Sequence, residues 1–125
     1  MAKAVKSIIP GKNWADFLQA FSDRHAGWLV SLETRDLETG ETVLSRFERL
    51  ESIALDLEDE KNSRINVMVR DGNKEIKHIL FRPSSLVLER NDEHNEAALR
   101  IRSVNTVTTV RLRVAVAPEC LDGVA

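Results

Sequence analysis

Apolar residues recur at helical intervals between Asn13 and Arg24. Trp14, Phe17, Leu18 and Phe21 stand at i, i+3, i+4 and i+7, the spacing that stacks side chains on one face of an α-helix. Asn13 offers an N-cap oxygen, and Asp16 places an anion at the positive end of the dipole. Gly27 follows the last periodic turn, where a left-handed residue ends a helix at little cost. From Trp28 the period falls to 2: Trp28, Val30, Leu32 and Thr34 alternate with Leu29, Ser31, Glu33 and Arg35. The pattern predicts a helix over Asn13–Arg24 that runs into a strand.

Strands dominate the remainder. Ile8 and Ile9 suit either a staple or a brief edge strand before Pro10-Gly11. After a turn at Leu37–Thr42, alternation resumes at Val43, Ser45 and Phe47. Leu50, Ile53, Leu55 and Leu57 then read as a strand, or as a strand broken by a bulge. Two hairpins follow from their turns. A Gly72-Asn73 loop sets Val69 against Ile76, Val67 against His78 and Ile65 against Leu80, with Arg70 and Glu75 paired on the other side. That register leaves Ile79 and Phe81 on the second face, so both faces are expected to be covered. Pro83 ends the strand, and Leu86–Glu89 makes a short one. A Val104-Asn105 loop sets Leu99 against Val110, Ile101 against Thr108 and Ala97 against Leu112. Arg100, Arg102, Arg111 and Arg113 then gather on the outer face, with Glu96 opposite Arg113.

The expected fold is α+β and mainly antiparallel: an N-terminal helix packed on a twisted sheet of six or seven strands, or on a partly open barrel. Residues 1–12 read as an arm, 13–117 as a single domain and 118–125 as a tail. A chain of 125 residues suits one domain. The net charge of −2, with 30% charged residues, shows no global bias toward nucleic acid or anionic membrane. No apolar run approaches the ~20 residues that cross a bilayer. The opening MAKAVKSIIPGK lacks the apolar segment of a signal peptide, so cytoplasm is the expected compartment.

Several patterns along the chain resemble a family of small bacterial single-domain proteins of unknown function. They are W-x-x-F-x-x-x-F-S-x-x-H-x-G-W-L-V at Trp14–Val30, H-x-x-x-x-P at His78–Pro83, an acidic loop before A-L-x-I, the run TTVRLR at Thr108–Arg113, and P-E-x-x-D-G from Pro118. The resemblance implies a compact bacterial domain and brings no catalytic residue with it.

Candidate chemistry is sparse. Of the three histidines, His25 sits where a cation would cap a helix C-terminus, and His94 lies in a polar loop with Asp92 and Glu93. His78 falls on the apolar side of a strand, where burial between Ile76 and Leu80 would keep it neutral; it is the candidate functional histidine. No H-x-H or C-x-x-C spacing points to a metal, and no cofactor motif is present. Ser22, Asp23 and His25 face different directions and make no triad. The lone Cys120 has no predictable base, and the acidic run Asp56–Glu60 lacks calcium-loop spacing. Catalysis is therefore not expected. Arg100, Arg102, Arg111 and Arg113 are the candidate contact for an anion or nucleic acid. The reading is a non-catalytic binding or assembly module, with a second copy of the chain or an acidic protein as partner and no membrane. RNA binding through the arginine face, and an enzyme centred on His78, are the alternatives.

Overall fold

The predicted apolar stripe is a helix. The computed structural model describes residues 5–45, 47–57, 63–91 and 95–114, and within them helix α1 spans Trp14–His25. Leu18 and Phe21 are fully buried, with Trp14 and Phe17 packed beside them. Asn13 is not the expected cap. A 3-10 turn at Gly11–Asn13 leads straight into α1, so Asn13 is already near-helical (φ −101°, ψ −1°) and its side chain makes no cap bond. Gly27 does take the left-handed conformation, at φ +87°.

The strands are β1 (Val5–Ile8), β2 (Leu29–Asp36), β3 (Thr42–Leu44), β4 (Glu48–Leu57), β5 (Ser63–Asp71), β6 (Lys74–Phe81), β7 (Ser85–Arg90), β8 (Glu96–Arg102) and β9 (Thr106–Val114). They form one antiparallel nine-stranded sheet in the order β1-β7-β8-β9-β2-β4-β5-β6, with β3 also on β2. The short β1 and β3 raise the count above the six or seven expected. The first hairpin register matches expectation throughout, and the second matches at Leu99 opposite Val110 and Ile101 opposite Thr108, but its pairing stops at Ala98–Arg111 and the expected Ala97–Leu112 pair does not form. The sheet curls far enough for the Val104 N–H, in the β8–β9 turn, to donate to the Phe81 carbonyl at the end of β6, yet β6 does not pair with β1. It is open, not a closed barrel.

Inside the curl, α1 lies on β4. Leu18 and Phe21 join Val30, Leu32, Leu50, Ile53, Ile65, Val67, Val69, Leu86, Leu88, Leu99, Ile101 and Val110 in one core. Ser22 fastens the helix to the sheet: its hydroxyl donates to the Ile53 carbonyl (2.9 Å) and accepts from the Ile53 N–H (2.8 Å). The expected covering of both sheet faces does not occur among the described residues. Ile79 and Phe81 are exposed, as is Phe47, because α1 covers only the concave side. Among the described residues no helix is long and apolar enough to cross a membrane.

Candidate functional site

Three β-bulges interrupt the sheet, and two of them build a cleft. Each leaves one residue without a cross-strand partner, which reverses the facing of the residues beyond it. Between β7 and β8, Glu89 pairs with Ala98 but Arg90 pairs with Glu96, so Ala97 is the extra residue. Between β2 and β9, Val30 pairs with Leu112 but Leu29 pairs with Val114, so the extra residue is Arg113. The third, at Glu51 on β4, lies elsewhere.

The Ala97 bulge decides where Glu96 goes. Simple alternation places Glu96 on the arginine face, opposite Arg113. The bulge turns it toward the helix, where its two oxygens accept hydrogen bonds from Nε and Nη2 of Arg24, both at 2.8 Å. This forked pair ties the end of α1 to the start of β8. Arg24 is about half exposed, which limits what the pair adds to stability.

His25 lies beside that pair and is buried, only 4% exposed. Its ring is held edge-on to Trp28 (centroids 4.7 Å apart) and against Phe21 (4.4 Å). Nδ1 is 2.9 Å from the Phe21 carbonyl oxygen; a carbonyl only accepts, so Nδ1 carries the hydrogen. In the neutral ring Nε2 therefore presents a lone pair, 3.5 Å from Glu96 Oε1. Burial pushes the imidazole below its ordinary pKa of 6.5. The Phe21 carbonyl and Glu96 oppose that shift in part, and Arg24 adds to it. His25 is thus a neutral acceptor at pH 7 rather than a cationic helix cap.

A cleft of about 570 Å³ opens in front of these groups. It is lined by His25 and Trp28, by Glu96, Ala97 and Leu112, and by Arg90, Asn91, Asn95 and Arg113. Its parts come from four places in the chain. No local motif joins His25 to Glu96, and the only hint in the sequence is a histidine flanked by aromatics at Phe21 and Trp28.

Of the other candidates among the described residues, Arg113 alone reaches this cleft. His78 is half-buried on β6 opposite Val67, as its register required, and its Nε2 is buried without a hydrogen-bond partner. Among the described residues no three His, Cys, Asp or Glu side chains gather as metal ligands. His94, Cys120, most of the acidic run and the whole of the tail lie outside the described residues.

The arginine face exists, but its middle is a packed mosaic. Arg111 lies between Ala98 and Ser31 on the neighbouring strands, and these are 1% and 2% exposed on the outer face. Arg100 similarly faces Thr109, which is also buried. Long stems beside small residues give that burial. Carboxylates interleave diagonally: Arg100 lies 3.7 Å from Glu89 and Arg111 lies 3.8 Å from Glu33. Arg102 is exposed, and Arg113 places its guanidinium 5.4 Å above the Phe47 ring.

No curated protein and no solved structure matches the chain. A family model covers residues 5–119, nearly the whole length and every strand described above. The chain belongs to that family, the family of unknown function DUF5335.

Proposed function

We propose that this protein is a non-catalytic binding module that takes a small polar ligand in the His25–Glu96 cleft. One observation carries the reading: in the lining of the cleft the buried His25 ring holds its Nε2 lone pair 3.5 Å from Glu96 Oε1, an oxygen that already accepts from Arg24 Nε. A ligand N–H or O–H that donates to Nε2 and shares Oε1 with Arg24 would engage both groups. Among the described residues the lining offers no serine, threonine, cysteine or lysine, and its two groups of nucleophilic type, His25 and Glu96, are held by Phe21 and Arg24, which favours binding over chemistry.

The test is an NMR titration of the labelled protein with millimolar acetamide, ethanolamine and glycerol, following the His25 imidazole nitrogens and the Glu96 and Ala97 amides. Saturable movement of Nε2, lost in His25→Phe, is the expected result. If none of the three probes moves these signals, the cleft reading is wrong.

A second reading, assembly with another copy of the chain, draws on the exposed Phe81 and Val104, which adjoin through the Val104 N–H to Phe81 carbonyl bond. Light scattering on a sizing column tests it: a dimer that Phe81→Glu dissociates supports it, and a concentration-independent monomer ends it. The RNA reading is weaker, since Arg100 and Arg111 already face carboxylates.

A further inference from the structure

On the far side of Arg113 from the cleft lies a second, smaller cavity of about 260 Å³, between Ser31, Leu44, Ser45, Phe47 and Arg113. We infer that it is a site for a small apolar carboxylate, separate from the cleft apart from Arg113, which borders both. Leu44 and Phe47 form its apolar walls, each 61% exposed, and neither belongs to the core. Large apolar side chains left this open around a concavity mark binding surfaces more often than packing. An apolar cavity of about 150 Å³ already admits benzene, so a ring with a short chain is of a size to enter here.

The wall carrying Leu44 is held in place. The Ser45 N–H donates to the Leu32 carbonyl (2.8 Å), and Ser45 Oγ accepts from the Leu32 N–H (3.0 Å), so this segment is pinned to β2. Such pre-ordering lowers the entropy lost on binding.

Charge selects the occupant. The β9 bulge falls at Arg113, whose guanidinium lies over the Phe47 ring and lines the cavity. Arg100 and Arg111, on the same face, each lie near a carboxylate, whereas among the described residues Arg113 pairs with none. An uncompensated planar fork of donors above an apolar slot suits a carboxylate attached to an apolar group, and it disfavours a cation.

The probes are 3-phenylpropionate and its neutral amide, titrated into the labelled full chain. The acid should shift the amides of Ser31, Leu44, Ser45 and Phe47 and saturate in the millimolar range, with the neutral amide about tenfold weaker. Arg113→Gln should bring the acid down to the level of the amide, Arg113→Lys should keep part of the preference, and Phe47→Ala should weaken both probes. Equal binding of acid and amide overturns the proposal, as does the absence of shifts. So do shifts at His25, Glu96 and Ala97 instead, which would assign the acid to the cleft and leave that reading standing.

Discussion

Phe21 has no exposed surface and sits between the Phe17 and His25 rings, so truncating it leaves a void that α1 and β4 cannot both close. Phe21→Ala should cost about 3–5 kcal/mol in urea unfolding, as at other buried aromatic sites. A loss near the few tenths typical of a surface position would contradict the packing. His25 makes a prediction about pH. Its folded pKa is lowered, chiefly by burial, so the unfolded chain binds a proton first as the pH falls. Its contribution is therefore fully present above the ordinary value of 6.5 and is lost as the pH drops from there to the folded value. Arg24, Glu96, Arg90 and Arg113 are the charged groups around it. Unfolding midpoints measured from about pH 8 down to 5 should fall on the acid side, less so in His25→Gln. In Glu96→Gln the His25 value should move lower still, because Glu96 raises it; an NMR titration showing a rise would refute this account. The aromatic stripe was legible because its information is local. The environment of His25 was not, because Glu96 reaches it only through an unpaired alanine.

At the scale of elements, helix α1 depends on one hydroxyl. Removing Ser22 Oγ leaves the Ile53 N–H and carbonyl without their partner inside the core. Ser22→Ala should cost about 1–3 kcal/mol, the range for stranding a buried polar group, although the side chain differs by a single oxygen. A neutral result would mean that water replaces the bond. Hairpin registers could be read from the sequence because turn chemistry and alternation agree: Gly72 takes φ +61°, and the pairs from Arg64–Phe81 to Asp71–Lys74 follow from it. The bulges could not. Ala97 and Arg113 are ordinary strand residues, and nothing in either side chain reveals a missing partner. The short strands were legible only in part, β1 from Ile8-Ile9 and β3 from the alternation at Val43, because their residues bury too little to mark the ends.

Across the whole molecule, the convex face behaves as a woven layer rather than a cationic patch. Arg111 shields Ala98 and Ser31, while Arg102 covers no comparably buried pair, its partners being Ser85 and Val107. Arg111→Ala should therefore destabilise by about 1 kcal/mol and Arg102→Ala by less than about 0.5. Equal losses would show that the mosaic is incidental. With Arg100 and Arg111 already matched, retention on heparin should vanish at physiological salt; strong, salt-steep retention there would revive the RNA reading. The strand order also bears on how the protein is made. Among the described residues β9 alone joins the strand pairing of the group β1-β7-β8 to that of the group β2-β4-β5-β6, and it meets β2 through pairs such as Ser31–Arg111, about eighty residues apart. During synthesis the long edge of β2 waits unpaired, with Val30 and Leu32 beside it, while some seventy further residues are added. Folding is thus held until late in translation, and a nascent chain arrested before Thr106 consists of two half-sheets with no strand to join them.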